Sequence, residues 1–238
     1  MDFNKLGAAA ASAEDMTQDK VFERELPRKG VAFLRLTSYV ELGKHKGTNP
    51  KYPKPAAKCL LTFELSHPKH LIEIDGKKVP SSITVRTNKG STAKSGFKKL
   101  FKSLDRALGG GHTHIVQMLG KPLLGEIYHN VVGEGDKKET YANLDIEGAW
   151  SFEEPYQVDK LTEERTAIAV PELQSELKAF LWEPKQTDDE GNTIISDADI
   201  VSMWDSLYIE GTREVVKADG TKEEHSKNWL QDTIRKNV

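Results

Sequence analysis

The chain has 238 residues, of which 37% are hydrophobic, and a formal net charge of -3. This length and composition allow one large or two small soluble domains with at least one ordinary hydrophobic core. A single cysteine, Cys59, excludes an intrachain disulfide and a zinc site built from cysteines. No run approaches the roughly 18 apolar residues of a membrane span, and the N-terminal MDFNKLGAAAASAEDM lacks the pattern of a signal peptide. We therefore expect a cytoplasmic protein with no membrane partner.

The small net charge conceals an uneven distribution along the chain. Residues 27–127 contain 19 Lys and Arg against 6 Asp and Glu, whereas residues 128–210 contain 6 against 20. Such a division predicts a basic surface for an anionic partner. The acidic part then faces a different partner or folds back on the basic part. The less specific interpretation is that the charged residues of both parts only form solvent-exposed faces of strands and helices.

The body of the chain begins with a segment typical of a β-strand, GVAFLRLTSYVEL. Strict alternation along this segment assigns Leu34 and Leu36 to one face and Arg35 and Tyr39 to the other. The segment AKCLLTFELS predicts a second strand, in which Cys59 is packed as a small apolar residue. A hairpin at Asp75-Gly76 and a short strand in SSITVRTN follow.

The strand pattern is then interrupted by an amphipathic helix, SGFKKLFKSLDRAL. Its apolar residues recur at spacings of three and four, Ser95 is a suitable N-cap, and the glycines 109–111 end it. A short helix to Leu119, a strand from about Leu123 to Val132, and one or two further strands in ETYANLDIEGAWSF come next. Strands, one helix and more strands are the order expected of a small oligonucleotide-binding (OB) barrel.

The last third of the chain has a different pattern. VPELQSELKAFLWEP and DADIVSMWDSLYI predict two helices, Asp219-Gly220 predicts a hairpin, and the C-terminus predicts a last helix. The predicted fold class is thus α+β, with a β-rich OB-like barrel core, an inserted amphipathic helix and a C-terminal appendage of helices and a hairpin. The predicted divisions are an N-terminal arm (1–26), the OB-like domain (27–155) and an acidic, mostly helical region (156–238).

The loop between the first two strands, GKHKGTNPKYPKP, is the strongest functional signal. It combines lysines with a tyrosine and stiffening prolines, and it contains no carboxylate. A groove that binds single-stranded nucleic acid needs cations along the phosphate backbone and flat rings that stack on the bases. The alternative is that the lysines only keep a long loop soluble. The predicted nucleic-acid-binding residues are Arg35, Tyr39, Lys44, His45, Lys46, Lys51, Tyr52, Lys54, Arg86 and Lys89.

Signals of catalysis are weak by comparison. The glycines 109–111 follow a helix and lack both phosphate-loop and dinucleotide-binding spacing. The histidine pairs His67/His70 and His112/His114 have no suitably spaced third ligand for a metal. The carboxylates are not paired with a recognisable nucleophile. We therefore expect no enzyme activity, no metal and no cofactor.

Four stretches together resemble a known group of proteins. They are GVAFLRLTSYVELGKHKG, KPAAKCLLTFELSHPKH, SGFKKLFKSLDRAL with MLGKPLLGEIYHNV, and WDSLYIEGT with SKNWLQDTI, which cover most of residues 30–234. The layout is similar to phage-encoded single-stranded-DNA-binding proteins with an OB fold. The resemblance implies a protein of the host-cell cytoplasm that coats single strands without strong sequence preference during replication or recombination.

One departure from that group concerns the acidic residues. Many such proteins end in an acidic tail that recruits replication partners, but this chain ends DTIRKNV, and its acidic stretch is internal, between about Glu134 and Glu210. That stretch could contact replication or recombination proteins, cover the basic groove as a DNA mimic, or form another protein interface.

Two further functions compete with single-strand binding. A virion or assembly protein would use the arm and the oppositely charged faces for contacts between subunits, so an oligomer is an open alternative. A nuclease or another DNA-processing enzyme would need clustered carboxylates to hold magnesium, and the sequence has no recognisable motif of that kind.

Overall fold

The computed structural model describes residues 26–47, 50, 53–74, 76–134, 138–216 and 221–237. Nearly all of the predicted N-terminal arm lies outside these residues. The described chain is a mixed, strand-rich structure with mainly antiparallel pairing. The strands are β1 Gly30–His45, β2 Ala56–Leu65, β3 Leu71–Ile74, β4 Lys77–Pro80, β5 Ser82–Asn88, β6 Pro122–Val132, β7 Glu139–Asn143, β8 Asp145–Ile146, β9 Ala149–Trp150, β10 Tyr156–Val158, β11 Arg165–Ala167, β12 Lys178–Phe180, β13 Thr212–Val216 and β14 Lys222–Ser226. The helices are α1 Gly96–Ala107, α2 Asp197–Asp205 and α3 Trp229–Arg235, with 3-10 turns at Pro68–His70 and Ile115–Met118.

The long strand β1 is the centre of the main sheet, whose order is β5-β2-β1-β6-β7. One edge of β1 pairs with β2 along most of its length. The other edge is shared, because β6 pairs antiparallel with residues 30–35 and β12 pairs parallel with residues 38–40. The C-terminal part of the chain therefore adds a strand to the same sheet.

A β-bulge in β1 changes which side chains point into the core. The register against β2 shifts between Leu36 and Ser38, so that Tyr39 lies opposite Leu61 on the same face as Leu34 and Leu36. An extra residue in one strand reverses the alternation beyond it. The predicted assignment of Tyr39 to the opposite face from Leu34 was wrong for this reason.

Helix α1 forms as its sequence predicts and covers the inner face of the sheet. The Ser95 side chain accepts a hydrogen bond from the Lys98 amide at 3.1 Å, which caps the first turn. Leu100 and Leu104 are fully buried, while the lysines of the opposite face are more exposed. This first core also contains Cys59, as expected, together with the ring of Phe152.

A second core lies on the outer face of the same sheet. Side chains of β1 and β2, including Val40 and Leu60, pack there with Phe180, Leu207 and Ile234. The predicted helices in DADIVSMWDSLYI and at the C-terminus are confirmed as α2 and α3. Phe180 belongs to β12, Leu207 follows α2, and Ile234 belongs to α3. Residues 156–238 thus share a core with the strands that precede them.

The helix predicted in VPELQSELKAFLWEP was wrong. Its residues 170–182 belong to a crossing segment, 168–182, in which only β12 is regular. Backbone amides and carbonyls that would pair with one another in a helix are hydrogen-bonded to the sheet instead. The Glu64 carboxylate accepts hydrogen bonds from the amides of Gln174 and Ser175, the latter at 2.7 Å, and β12 pairs with β1.

The ends of the main sheet approach one another. β5 and β7 lie across a cavity of about 1050 Å³, lined by both strands and by the β3–β4 hairpin. The described strands β5 and β7 are not paired with each other, so the path of paired strands is open. Closure into an OB-like barrel remains a prediction.

Candidate nucleic-acid interface

Strand register gathers the predicted cations at one end of the sheet. The end of β1 pairs with the start of β2, Lys44 lying opposite Ala57, and the start of β2 pairs with the end of β5, Lys58 lying opposite Asn88. Cations that are distant in sequence are therefore placed beside one another. We call this surface the basic end, and it consists of Lys44, His45, Lys46, Lys54, Lys58 and Arg86.

The lysines and arginine of the basic end are accessible. Lys44, Lys46, Lys54 and Arg86 are exposed, whereas Lys58 is half-buried. The stretches of chain that supply them, residues 42–63 and 76–104, contain no Asp or Glu at all. Their positive charge is therefore not neutralised by acids of their own segments, and the field at this end favours an anion.

A backbone hydrogen bond attaches Asn237 to the basic end, and Gly43 leaves room for this contact. The Lys44 amide donates a hydrogen bond to the Asn237 carbonyl at 2.9 Å. Gly43 has φ of +79°, and a Cβ there would lie 2.5 Å from the Asn237 carbonyl oxygen. A larger residue at this position would displace Asn237, two residues after the end of α3.

His45 lies between the backbone and Arg86. Its Nε2 is 3.0 Å from the Leu42 carbonyl, to which it donates, and its Nδ1 is 3.4 Å from an Arg86 guanidinium nitrogen. Burial lowers the pKa of His45, and the charges of Arg86 and Lys58 lower it further. The imidazole is therefore neutral near pH 7, where it orients Arg86 instead of adding a charge.

The outer face of β5 continues from the basic end. Ser82, Thr84, Arg86 and Asn88 alternate with buried or half-buried residues and are exposed. Thr84 lies beside Thr62 of β2, with the two hydroxyls 3.4 Å apart. This polar row extends from the basic end to the cavity between β5 and β7, and sequence reasoning missed it. The alternation in SSITVRTN was the signal that could have identified it.

An exposed ring lies at the far side of that cavity. Tyr141 of β7 is 46% exposed and lines the cavity with Ile74 and Val132, which are also exposed. Its hydroxyl donates to the Glu139 carboxylate, which raises the pKa of Tyr141. Tyr141 is thus an accessible aromatic side chain near the polar row, and it was absent from the predicted site.

Tyr39 was predicted to be accessible, and this was wrong. Its side chain is fully buried, its hydroxyl donates to the Glu41 carboxylate at 3.0 Å, and its ring lies edge-on to His114. Burial, with the proximity of Cys59 and Glu41, raises the pKa of Tyr39 far above its usual range. A ring in this position has no free face for a base.

Lys89 has a structural partner. Its ammonium group is paired with the Glu41 carboxylate, which is buried and also accepts a hydrogen bond from the Trp182 amide at 3.0 Å. A buried carboxylate needs such partners to offset its desolvation. Lys89 therefore stabilises the junction of β1, β5 and the crossing segment, and its charge is largely committed there.

Arg35 is likewise committed to the protein. Its guanidinium donates to the carbonyls of Gly120 at 2.7 Å, Pro171 at 3.1 Å and Val170 at 3.4 Å. These bonds attach the crossing segment to β1. The prediction that Arg35 lines a nucleic-acid groove is not compatible with this arrangement, because its nitrogens already donate to the backbone.

The remaining predicted residues, Lys51 and Tyr52, lie outside the described part of the chain. Between residues 26 and 237, the described side chains include no group of three His, Cys, Asp or Glu that could hold a metal ion. No described helix has the length and apolar character needed to cross a membrane.

Comparisons with protein-family models, with curated proteins and with solved structures found no match.

Proposed function

We propose that the protein binds single-stranded DNA without strong sequence preference, as an accessory of phage replication or recombination. The proposed surface is the basic end together with the outer face of β5. Phosphates contact Lys44, Lys46, Lys54 and Arg86, and no covalent step is involved.

The observation that carries the proposal is the register of β1, β2 and β5. It brings the lysines of one acid-free stretch and Arg86 of another to one end of the sheet, beside an exposed polar strand face. If these lysines only kept a loop soluble, the fold would not need to place them beside such a face. Binding through charge to the phosphates is tolerant of sequence, since every nucleotide carries the same phosphate.

The OB-like fold belongs to the same proposal, and the topology supports it. Apart from β12, which adds a sixth strand beside β1, the strands of the main sheet occur in the chain order β1, β2, β5, β6 and β7, with α1 after the third of them. OB folds are partly open five-stranded barrels that bind oligonucleotides on the face of their second and third strands, beside the loop that joins the first two. Those elements correspond here to β2, β5 and the lysine-rich loop.

The test is fluorescence anisotropy of a labelled oligothymidine of about 30 nucleotides, measured from low to physiological salt. We expect tight binding that weakens with salt and that duplex DNA does not displace. The triple variant Lys44→Ala/Lys46→Ala/Lys54→Ala should bind more weakly. Its slope of log affinity against log salt should decrease by about 2, since each phosphate contact on a single strand contributes about 0.7.

A matched control removes the same charge elsewhere. Lys99, Lys102 and Arg106 are exposed on α1, so Lys99→Ala/Lys102→Ala/Arg106→Ala leaves the basic end intact. We expect its salt slope to stay near that of the parent protein. Equal losses in both triple variants would show that net charge, and not this surface, determines binding.

Absence of binding at low salt would contradict the proposal. Self-association that depends on salt, measured on the same samples by analytical ultracentrifugation, would then favour an assembly protein whose oppositely charged faces join subunits.

A further inference from the structure

The cavity between β5 and β7 has walls of different chemistry, and we call it the cleft. One wall is the β3–β4 hairpin, a second is the start of β5, and the third is formed by β7 and the end of β6. Its volume of about 1050 Å³ is at the upper end of pockets that bind small molecules, about 300–1,000 Å³. A flat ring of the size of a nucleobase therefore has room to enter.

Three apolar side chains of the cleft are accessible to a ligand. Ile74 is 52% exposed, Val132 is 58% exposed and Tyr141 is 46% exposed. They come from the hairpin, from β6 and from β7, so the fold gathers them from separate parts of the chain. Exposed apolar side chains that form a contiguous patch are typical of a binding site. The patch indicates a ligand with an apolar face.

The Tyr141 ring is oriented by its own strand. Its hydroxyl donates to the carboxylate of Glu139, which lies two residues earlier on the same face of β7. Asn143 is on that face as well and also lines the cleft. The ring can therefore stack on a flat ligand, while the Asn143 amide can donate to or accept from its polar edge.

The charges of the cleft favour a neutral group over a phosphate. Glu73 is the one charged residue among its described lining residues, and the Glu139 carboxylate lies at the Tyr141 hydroxyl. Both carboxylates repel an anion. The nearest cation of the basic end on β5 is Arg86, two residues after Thr84, which lines the cleft. Two residues of a strand span about 7 Å, so a nucleotide with its phosphate at Arg86 is adjacent to the cleft.

We propose that the cleft binds an unpaired nucleobase of the single strand. The base stacks on Tyr141, Ile74 and Val132 cover its apolar part, and Asn143 bonds its polar edge. This inference rests on the proposed function, because the phosphates of the same strand lie at the basic end. A base held in a duplex cannot enter the cleft, and phosphate contacts alone do not read the bases. The cleft therefore determines the preference for single strands.

The experiment compares two proteins on two ligands by fluorescence anisotropy at one salt concentration. The proteins are the full parent chain and Tyr141→Ala. The ligands are an oligothymidine of about 30 nucleotides and an abasic oligomer of the same length, which keeps the phosphates and lacks the bases. Tyr141→Ala should weaken the binding of oligothymidine about tenfold, since a stacked base is lost. Its affinity for the abasic oligomer should stay near that of the parent protein.

Matched variants separate stacking from other effects of the substitution. Tyr141→Phe keeps the ring and should bind oligothymidine as the parent protein does. Tyr208→Ala removes another exposed tyrosine, which follows α2, and should leave both affinities unchanged. The slope of log affinity against log salt should be the same for Tyr141→Ala and the parent protein, because no phosphate contact is removed. The ratio of single-strand to duplex affinity should fall about tenfold in Tyr141→Ala.

The outcomes distinguish the base site from the proposed function. If the parent protein binds oligothymidine and Tyr141→Ala weakens both ligands equally, or neither, the base site is overturned and the proposed function stands. If the loss is confined to oligothymidine while the lysine triple variant binds normally, the base site stands and the basic end is wrong. A parent protein that binds neither ligand at low salt would overturn both.

Discussion

The buried carboxylate of Glu41 joins different parts of the chain. The Glu41 carboxylate receives the hydroxyl of Tyr39, the amide of Trp182 and the ammonium group of Lys89. Each donor comes from a different part of the sequence. Cys59, which faces the same cluster, is buried, and this burial raises the pKa of its thiol to about 12. The thiol is therefore protonated and unreactive near pH 7.

His70 gives a pH dependence of stability with a defined sign. Its folded pKa of about 4 lies below the ordinary value of 6.5. Unfolding therefore takes up a proton between these values, and the free energy of unfolding should fall as the pH is lowered from about 6.5 to 4, by up to about 3 kcal/mol. Urea unfolding at several pH values would measure this.

The matched variant is His70→Phe, which keeps an aromatic ring but cannot take up a proton. Its stability should fall less steeply than that of the parent protein across the same pH range. Parallel curves for the two proteins would contradict the assignment. His225→Phe, at an exposed position, should leave the slope nearly unchanged.

At the scale of elements, the crossing segment shows how tertiary bonds override local helix propensity. Arg35 holds the carbonyls of Val170 and Pro171, Glu64 holds the amides of Gln174 and Ser175, and β12 pairs with β1. The segment VPELQSELKAFLWEP is spaced suitably for a helix. Its backbone groups are nevertheless satisfied by charged side chains of the sheet, and such bonds do not depend on the identity of the segment's own side chains.

Arg35→Met tests this attachment against the earlier prediction of a DNA contact. We expect hydrogen exchange at the amides of residues 174, 175 and 182 to become faster, because the segment loses hydrogen bonds from Arg35. The free energy of unfolding should fall by about 1–3 kcal/mol. Affinity for oligothymidine should change little, as the basic end is untouched.

The opposite result would support the prediction that Arg35 belongs to the DNA-binding surface. Unchanged exchange with a clear loss of DNA affinity would show that its charge acts on phosphates. Arg213→Met, on the exposed strand β13, removes an equal charge and serves as the control for nonspecific electrostatics.

At the scale of the whole molecule, the sheet connects its two cores. The inner face packs on α1, and the outer face packs on α2 and α3 through Val40, Leu42 and Leu60. The predicted boundary at residue 155 stays untested as a limit of independent folding. A shared sheet nevertheless predicts that the two parts unfold together.

Leu207→Ala tests that cooperativity. Leu207 is 1% exposed in the second core, so its truncation should lower the free energy of unfolding by about 2–5 kcal/mol. Tryptophan fluorescence and far-UV circular dichroism should still report one coincident urea transition, shifted as a whole. Leu161→Ala removes a leucine that is 95% exposed and should shift it little. Two separated transitions would instead show that residues 156–238 unfold as an independent domain.

The sequence by itself determined the features that depend on near neighbours. The spacing of apolar residues identified α1 and most strands, Ser95 was recognised as a cap, and composition identified a lysine-rich loop between β1 and β2. These features depend on contacts within a few residues or on residue types alone. The predicted contacts of that loop with DNA remain untested, and Lys51 and Tyr52 lie outside the described residues.

Only the tertiary structure decided which side chains remain accessible. The bulge after Leu36 moved Tyr39 into the core, and partners far along the chain, at residues 170, 171 and 120, occupied Arg35. The cleft between β5 and β7, with Tyr141 in its lining, could not be seen in the sequence either. Burial and hydrogen bonding depend on residues that are distant in sequence, and periodicity or composition carries no information about those partners.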